Sequence, residues 1–477
     1  MLTQFLASSA PRAAALLLAV VMSATAGSRD RSLHAATGPG QIASKPPLGW
    51  NSFDSYGVYL HEKAAMENLE AMAEHLKPYG YQYFVIDNGW FGEYKLKPGT
   101  LYPLEKHASD VRINEHGHVM PSKAYFPGGL KPIIDRCHDL GLKFGLHMMR
   151  GIPRKAYDLN LPIKGTAYRA RDVADTNPKH LCTWCTYNYG VDMSKPGAQG
   201  WYDGLIQHLA DMGVDMIKYD DIVPYPAEVE AVAKAIEKTG RPILLSLSPG
   251  GDVPPDAIKS FQMAHMLRVT KDVWDQAHYL DECFDAWKKW TGKESEGFWI
   301  DMDMIPFGQL LMMSPRQELL REGDASAVRL AGNGYRRWPQ FSHDQMFTFI
   351  TLRALSASPL MVGGDLPTMD GFSLRLLTDP DMLACNQNGV MGKLVSAKDG
   401  IEVWKTPEKG QNTRGWVGVF NRTDRLKTVT VTPAFLGLAG EARLYDVWKG
   451  RKAHRLTAGS AIEIDVQPDG VLFLRYE

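Results

Sequence analysis

Lys218, Asp220 and Asp221 stand together at the end of an apolar stretch, and their types and spacing could support covalent catalysis. The stretch predicts a buried strand that ends at these residues. Side chains alternate along a strand, so Lys218 and Asp220 should project from one face and Asp221 from the other. A lysine ammonium beside Asp220 would keep that carboxyl ionised at neutral pH, as a nucleophile requires. Taken alone, the same pattern would also fit a surface ion pair at a strand end.

Charged or amide side chains also stand at the ends of three further predicted strands. They are Asp87 and Asn88, Arg268 and Asp272, and Asp301 and Asp303. Aspartate is common at helix N-caps, and Asp272 could be a cap for the helix predicted from Trp274. Together, however, the residues fit glycoside hydrolysis, which needs one ionised carboxylate and one protonated carboxylic acid across a sugar ring. Basic neighbours would keep Asp220 charged, and Asp272 could hold the proton if its site is less polar.

Strand-like apolar runs alternate with amphipathic helical stretches from Pro46 onward. The clearest are the strand runs 81–86, 142–148 and 243–247 and the helical runs 200–212 and 228–239. This alternation predicts an α/β fold, a (β/α)8 TIM barrel whose strand ends carry the chemistry. After Asn388 short runs alternate with period 2 between turn residues, which predicts a small antiparallel β domain. We therefore expect a catalytic barrel over residues 46–388 and the β domain over residues 389–477.

The N-terminus predicts export. Arg12 precedes an apolar run, and residues 24–26 (ATA) supply small side chains at the expected cleavage positions. We interpret residues 1–26 as a secretory signal peptide cleaved near Ala26, and the polar residues 27–45 as a linker. No run in the chain approaches the roughly 18 apolar residues that a membrane span requires. The mature protein is predicted to be secreted or periplasmic.

Composition excludes several kinds of partner. The net charge of −1 argues against nucleic acid or an anionic membrane surface. Five cysteines in 477 residues do not require a disulfide framework. Cys182 and Cys185 have the spacing of half a zinc ribbon, but there is no second such pair. A local disulfide or two thiols is therefore favoured over a metal site.

Several motifs, in order along the chain, resemble those of glycoside hydrolase family 27, the α-galactosidase and α-N-acetylgalactosaminidase family. The matching motifs are residues 47–53 (PLGWNSF), 218–220 (KYD), the Arg268 to Asp272 spacing, residues 301–304 (DMDM), 358–366 (SPLMVGGDL), 386–388 (NQN) and, more weakly, 417–422 (VGVFNR). The resemblance implies a barrel followed by a C-terminal antiparallel β-sandwich, and a retaining mechanism. It implies no metal and no organic cofactor.

The resemblance also implies a role for individual residues. Asp220 would attack the anomeric carbon, and Asp272 would protonate the leaving oxygen and later activate water. The residues implied to hold the sugar are Trp50, Asp87, Lys218 and Arg268, with Met304 on the pocket floor.

The positions that depart from the family's pattern include Asn88, His147 and Ser248. Asn88 replaces the second of two adjacent acids that hold the axial 4-hydroxyl and the 6-hydroxyl, so a charge-assisted hydrogen bond is lost although an amide still binds hydroxyls. His147 stands where the family often has tyrosine. Ser248 lies in a turn that lacks the bulky acid often placed against the 2-hydroxyl, and small residues there could admit a 2-acetamido group.

We expect a secreted, retaining exo-α-glycosidase that hydrolyses terminal α-D-galactosyl residues of oligosaccharides or glycoconjugates by double displacement. α-Galactosides lead because they are the commoner substrates across the family. α-N-Acetylgalactosaminidase, α-glucoside and β-L-arabinopyranoside specificities stay open because of Asn88 and Ser248. The presence of both Asp220 and Asp272 disfavours a non-catalytic carbohydrate-binding protein. A metal-dependent hydrolase is disfavoured because His147 is the only histidine at a predicted strand end.

Overall fold

Eight parallel strands form a barrel in the computed structural model, which describes residues 42–249, 253, 255–314, 335–450, 452–457 and 459–477. The strands are β1 Leu48–Asn51, β2 Tyr83–Ile86, β3 Lys143–Met149, β4 Met216–Asp220, β5 Leu244–Leu247, β6 Met266–Arg268, β7 Trp299–Asp301 and β8 Leu360–Val362. Chain neighbours pair in parallel, and β1 also pairs with β8. Just after β7, Ile305 closes the barrel by hydrogen bonds of 2.8 Å to Met361 and 2.9 Å from Gly363. The predicted (β/α)8 barrel is confirmed.

Helices connect successive barrel strands, and two further helices follow β8. They are α1 Phe53–Tyr56, α2 Glu62–His75, α3 Lys131–Asp139, α4 Arg154–Asp158, α5 Ala170–Val173, α6 Ala198–Met212, α7 Pro226–Thr239, α8 His278–Trp290, α9 His343–Leu355, α10 Gly371–Thr378 and α11 Pro380–Gln387. Short 3₁₀ helices occur at Lys77–Tyr79, Pro178–His180 and Pro255–Ser260. Gly213 and Gly240 adopt the left-handed conformation that ends α6 and α7. Ser342 and Gln345 form a capping box that starts α9.

The helix predicted from Trp274 begins later than expected. α8 starts at His278, and Ala277 precedes it without a side-chain cap. Asp272 is therefore not the cap of this helix, and the helix-cap interpretation of Asp272 is wrong. Trp274 lies in the connection between β6 and α8, with its ring centroid 6.5 Å from that of Phe53.

Antiparallel strands form the C-terminal domain. They are β9 Lys393–Lys398, β10 Ile401–Pro407, β11 Gly415–Asn421, β12 Lys427–Val431, β13 Ala442–Asp446, β14 Lys452–Leu456, β15 Ile462–Val466 and β16 Val471–Tyr476. Within the described residues, one sheet has the order β9-β10-β11-β16-β13-β14, and β12 pairs with β15 in the other. Val417, Val431 and Leu472 belong to the apolar cluster between the two sheets. The predicted antiparallel β-sandwich is confirmed.

The β-sandwich packs against the outer helices of the barrel. Trp287 of α8 stacks on Trp404 of β10 with ring centroids 3.7 Å apart. The Trp287 indole also donates a hydrogen bond of 3.0 Å to the Gly392 carbonyl. Beside this stack, Lys288 and Glu402 form an ion pair at 2.7 Å. The sandwich thus covers one flank of the barrel through a buried aromatic contact.

The predicted signal peptide, residues 1–26, and the linker up to residue 41 lie outside the described residues. The end of the predicted linker does pack on the barrel, because Trp299 donates a hydrogen bond of 2.8 Å to the carbonyl of the buried Ala43. In the part of the chain that the structure describes, no helix has the length and apolar character needed to cross a membrane.

Two buried histidines should make the stability of the barrel depend on pH. Burial lowers the pKa of His118 to about 3 and the pKa of His265 to about 4, against about 6.5 in an unfolded chain. Below pH 6.5 the unfolded chain therefore binds protons that the folded chain does not. The stability that these groups confer is complete above pH 6.5 and is lost progressively as the pH falls toward 4.

We expect the unfolding free energy to fall by about 2 kcal/mol for each of these histidines between pH 6.5 and pH 5. His118→Leu should flatten this dependence, because leucine fills a similar volume without a titratable group. Thermal unfolding midpoints from pH 7.5 to pH 4.5 measure the effect, with the exposed His278→Leu as the matched control. A pH dependence in His118→Leu as steep as that of the unsubstituted protein would contradict the account.

Candidate active site

The carboxyl ends of four barrel strands bring the predicted acids and bases to one cavity. The strand-end residues that line it are Asp87 and Asn88 after β2, Lys218 and Asp220 on β4, Arg268 and Asp272 at β6, and Asp303 and Met304 after β7. The cavity has a volume of about 950 Å³. Catalytic groups of β/α barrels lie at this end of the strands, so the cavity is the candidate active site.

One carboxylate oxygen of Asp220 accepts a hydrogen bond, and the other has no hydrogen-bond partner. Oδ2 lies 2.9 Å from Nε2 of His147, which donates a hydrogen bond to it. Oδ1 is buried and has no hydrogen-bond partner. The imidazole reaches Asp220 because the register of β3 and β4 places His147 beside Lys218. An oriented carboxylate with an unpartnered oxygen is what a nucleophile presents to its substrate.

Basic neighbours keep Asp220 ionised. Burial opposes the charged form, but Lys218 and then His147 outweigh it and hold the pKa of Asp220 far below its usual range. Arg268 acts in the same direction. Asp220 is therefore a carboxylate at neutral and mildly acidic pH.

Lys218 forms its direct ion pair with Asp87. Its Nζ donates to Oδ2 of Asp87 at 2.8 Å, and Nδ2 of Asn51 donates to the same oxygen at 2.7 Å. The long lysine side chain reaches from β4 to the end of β2, where the buried Asp87 needs a cation. Lys218 therefore acts on Asp220 through space, as a charge that keeps it ionised, and the direct hydrogen-bond partner of Asp220 is His147.

The pKa of Asp272 is shifted in the opposite direction to that of Asp220. Loss of hydration in the cavity raises the pKa of Asp272 above its usual value, against the pull of Arg268, and the Asp303 carboxylate adds to the rise. Nη1 of Arg268 lies 2.9 Å from Asp272 and 3.1 Å from Asp303. The Asp272 side chain is 61% exposed, so a bound molecule can reach it. A reachable carboxyl with a raised pKa suits a proton donor.

Asp303 follows β7 and contacts the guanidinium of Arg268, and Asp301, the last residue of β7, holds Asp303 in place. Asp303 has a φ of 78°, a conformation that few residues other than glycine adopt. Its Oδ2 accepts a hydrogen bond of 2.8 Å from the Val273 N–H, and its own N–H donates to Asp301 at 2.9 Å. Burial and then the Asp303 charge raise the pKa of Asp301 to about 6. This turn holds Asp303 against Arg268.

Trp50 does not reach the cavity. Its indole is fully buried, donates a hydrogen bond of 2.8 Å to Gly364 and stacks on Phe84 with centroids 4.8 Å apart. β1 ends one residue later and the chain turns into α1, so Phe53 lines the cavity instead, with its ring centroid 5.8 Å from Nζ of Lys218. The predicted sugar contact of Trp50 is therefore corrected, and the aromatic side chain that the motif supplies to the cavity is Phe53.

His147 and Ser248 also lie outside the cavity lining. His147 is fully buried and contacts Asp220, so it orients the carboxylate rather than a sugar. Ser248 is 1% exposed, and its hydroxyl has no hydrogen-bond partner among the described residues. The next residue, Pro249, lines the cavity. The Ser248 side chain thus opens no room for a 2-acetamido group.

Asn88 faces the cavity from the turn after β2. Its Oδ1 is buried without a partner, and its backbone N–H donates to Oδ1 of Asp87 at 2.7 Å. Gly89 follows with a φ of 99°, and a Cβ there would lie 2.1 Å from the carbonyl oxygen of Val58. The turn that presents Asn88 therefore requires glycine at the next position.

Asp54 is a cavity residue that the sequence reasoning missed. It is 1% exposed, lines the cavity, and its Oδ2 has no partner. Burial and then Asp303 raise the pKa of Asp54 well above its usual value. Gly363 packs so closely that a Cβ there would lie 2.0 Å from Oδ2. The sequence did offer one signal for Asp54, because this residue directly follows Phe53, the last residue of the PLGWNSF motif.

Cys182 and Cys185 are buried free thiols. Of the two alternatives that the sequence left open, a local disulfide or two thiols, the structure shows two thiols. Cys182 forms a hydrogen bond with the Asp221 carboxylate, and Cys185 lines the cavity. Over the described ranges, no group of three or more His, Cys, Asp or Glu side chains could hold a metal ion.

Comparison of the sequence and the structure with known proteins finds glycosidases and a glycosidase domain family. Residues 398–476 match the family model described as the α-galactosidase C-terminal β-sandwich domain. The chain is 35% identical to a family 27 β-L-arabinopyranosidase of Geobacillus stearothermophilus, with a TM-score of 0.81 over 92% of this chain and 98% of that one. It is 33% identical to a structure described as a putative α-N-acetylgalactosaminidase of Bacillus halodurans, with a TM-score of 0.75 over 91% and 97% of the two chains. The α-galactosidase of Cyamopsis tetragonoloba is 25% identical over 89% of this chain and 84% of that protein.

Proposed function

The chain belongs to glycoside hydrolase family 27, and from this we propose that it is an exported, retaining exo-glycosidase that releases terminal pyranosyl residues of galacto configuration. The observation that carries the proposal is the unpartnered Oδ1 of Asp220 in a cavity that also holds Asp272. The pKa of Asp220 is lowered and the pKa of Asp272 is raised. This supplies the charged nucleophile and the proton donor that glycoside hydrolysis needs.

In the first step, Oδ1 of Asp220 attacks the anomeric carbon while the bond to the leaving oxygen breaks. Asp272 transfers its proton to that oxygen, and the aglycone leaves as an alcohol. The products are a glycosyl ester of Asp220, with inverted anomeric configuration, and the carboxylate of Asp272. The hydrogen bond from His147 to Oδ2 leaves Oδ1 as the attacking atom.

In the second step, the Asp272 carboxylate takes a proton from water as that water attacks the anomeric carbon. The ester bond to Asp220 breaks, and the carboxylate of Asp220 and the carboxylic acid of Asp272 are restored. Two inversions give net retention of configuration.

Paired donors and acceptors in the cavity favour a sugar with an axial 4-hydroxyl. The ammonium of Lys218 and the carboxylate of Asp87 lie 2.8 Å apart. One sugar hydroxyl that contacts both groups can accept a hydrogen bond from Lys218 and donate one to Asp87. Arg268 and Asp303 offer a corresponding pair at 3.1 Å nearer to Asp272. We propose that a galacto-configured ring binds to both pairs with its anomeric carbon facing Asp220.

Among galacto-configured sugars, we propose β-L-arabinopyranosides as better substrates than α-D-galactosides. β-L-Arabinopyranose has the ring stereochemistry of α-D-galactopyranose and lacks only the C6 hydroxymethyl group. A 6-hydroxyl would meet the neutral amide of Asn88 instead of a carboxylate, and hydrogen bonds to a charged group are about twice as strong as neutral ones. The 35% identical relative is a β-L-arabinopyranosidase, and a variant of that enzyme has been crystallised with arabinose.

Hydrolysis of four 4-nitrophenyl glycosides tests this proposal: β-L-arabinopyranoside, α-D-galactoside, α-N-acetylgalactosaminide and α-D-glucoside. We expect the arabinopyranoside to have the highest kcat/KM. Asn88→Asp should shift the galactoside to arabinopyranoside ratio toward galactoside by about tenfold, because it restores one charge-assisted hydrogen bond to a 6-hydroxyl.

The matched control is Asn412→Asp, the same substitution at an exposed turn of the β-sandwich, which should leave the ratio unchanged. An unchanged ratio in Asn88→Asp would mean that Asn88 does not contact the sugar. Faster turnover of the α-N-acetylgalactosaminide or the glucoside would overturn the sugar assignment.

A further inference from the structure

The cavity above Asp220 is larger than one sugar ring needs. Its volume of about 950 Å³ is near the upper end of the range, about 300–1,000 Å³, found for pockets that enclose drug-sized ligands. The charged groups that would hold a single ring all lie at strand ends. Most of the other lining residues lie in the segment between α1 and α2, in the connection between β2 and α3, and in the connection between β3 and α6. We call the part of the cavity that these three segments line the outer chamber.

Aromatic side chains line the outer chamber. Phe91 and Tyr187 pack edge to face with centroids 6.5 Å apart, and Tyr59 and Tyr94 do so at 5.5 Å. Trp184 also lines the cavity, and 53% of its surface is exposed. Among the exposed large apolar side chains of the described residues, Trp184 is the only one that lines the cavity. An exposed indole at the mouth of a polar site is typical of a surface that a ligand covers.

Polar residues also line the outer chamber. They are Lys106, His107, Thr183 and Thr186. An aromatic face packs against the C–H groups of a sugar ring, and such donors and acceptors bind its hydroxyls. A purely apolar aglycone would leave these groups without partners, so the chamber favours an amphipathic ring.

The loop that carries Trp184 is tied to the strand that carries the nucleophile. Arg150 donates to Asp221 at 3.0 Å and to Glu228 at 2.8 Å, and it also donates to the carbonyl of His180, at the start of the loop. The thiol of Cys182 forms a hydrogen bond with the same Asp221 carboxylate. Asp221 follows Asp220 directly, so these bonds anchor the start of the Trp184 loop to the end of β4. Such preorganisation reduces the cost of binding.

Resting on the proposed function, we propose that Trp184 and its polar neighbours form a subsite for a saccharide aglycone. The bound disaccharide places its terminal ring over Asp220 and stacks its second ring on the indole. The substrate is therefore a glycosyl group attached to another sugar, as in a branched oligosaccharide or polysaccharide, rather than a glycoside of a small alcohol or a lipid.

The test compares two substrates that share one terminal sugar. β-L-Arabinopyranosyl fluoride has no aglycone ring and needs no proton to leave, whereas β-L-arabinopyranosyl-(1→3)-L-arabinose fills both positions. Trp184→Ala should lower kcat/KM for the disaccharide by about tenfold, mainly through KM, because a stacked aromatic contact is lost. Its kcat/KM for the fluoride should stay within about twofold of the unsubstituted enzyme, since Trp184 makes no contact with that substrate.

Tyr79→Ala is the matched control. Tyr79 is 49% exposed and lies on the 3₁₀ helix before β2, at the opposite end of the barrel strands, so both substrates should be unaffected. Trp184→Phe should restore most of the disaccharide activity, which separates stacking from a damaged loop. Equal losses on both substrates in Trp184→Ala would overturn the subsite. Failure of the unsubstituted enzyme to hydrolyse the fluoride would instead overturn the proposed function, and the subsite with it.

Discussion

Asp220→Asn should lower the hydrolysis of 4-nitrophenyl glycosides by about 10⁵-fold, the scale of loss when a catalytic nucleophile is removed. Asparagine has nearly the same volume, so the barrel should fold normally and its unfolding midpoint should change little. The amide is a poor nucleophile and cannot form the glycosyl ester. Steady-state rates with an activated leaving group measure the loss without requiring proton donation by Asp272.

The control for this prediction is Asp215→Asn, the same substitution just before β4. Asp215 pairs with Arg241 and His138 at the other end of the strand, so its loss should affect stability rather than turnover. Asp220→Gly with added azide is a further test, because the small anion can occupy the space of the carboxylate. It should give a glycosyl azide of inverted anomeric configuration. Turnover of Asp220→Asn within tenfold of the unsubstituted enzyme would end the nucleophile assignment.

Asp272→Ala should have the second largest effect, and the effect should depend on the leaving group. A sugar leaving group needs a proton, so turnover of the disaccharide should fall by about 10³-fold, within the range for general acid catalysis. A 4-nitrophenolate leaves without a proton, so the first step with that substrate should be far less affected. The slower step becomes hydrolysis of the glycosyl ester, which should produce a burst of nitrophenolate.

The pH profile gives a second measure of the same residue. The proposed mechanism requires deprotonated Asp220 and protonated Asp272, and the lowered pKa of Asp220 and the raised pKa of Asp272 let both states exist at the same pH. Activity on the disaccharide should therefore fall on the alkaline side as Asp272 loses its proton, and Asp272→Ala should remove that limb.

Asp281→Ala is the control for Asp272→Ala. Asp281 is a 70% exposed aspartate of α8 that pairs with Arg422, and its replacement should change neither substrate. Equal losses on the disaccharide and on the nitrophenyl glycoside in Asp272→Ala would contradict the acid role.

The alternation of runs along the sequence was enough to predict the barrel and the β-sandwich. Helix α6 begins two residues before its predicted start at residue 200 and ends at residue 212 as predicted, because its apolar residues follow a strong period of 3.6. Strand β4 ends at Asp220, where the apolar stretch gives way to charged residues. The helix predicted from Trp274 begins four residues later, at His278, because the buried Trp274 packs in the loop that precedes it. The last helix, α11, ends at Gln387, and the first strand of the antiparallel sheet, β9, begins at Lys393.

The contacts within the site were harder to predict because they depend on the register between strands. The rule of alternation places Lys218 and Asp220 on one face. It does not say that Lys218 reaches Asp87 or that His147 reaches Asp220, since both depend on how β2, β3 and β4 are aligned. Likewise, the motif that contains Trp50 does not show where β1 ends. Only the turn into α1 directs Phe53, rather than Trp50, into the cavity.

The most direct test of the mechanism is to trap the glycosyl ester. A 2-deoxy-2,2-difluoro-β-L-arabinopyranoside with a trinitrophenyl leaving group should react once, because the fluorines slow the second step more than the activated first step. Proteolysis and mass spectrometry should then find the added sugar on the peptide that contains Asp220, and on its carboxylate. A sugar attached to another residue, or turnover with inverted configuration and no adduct, would contradict the account.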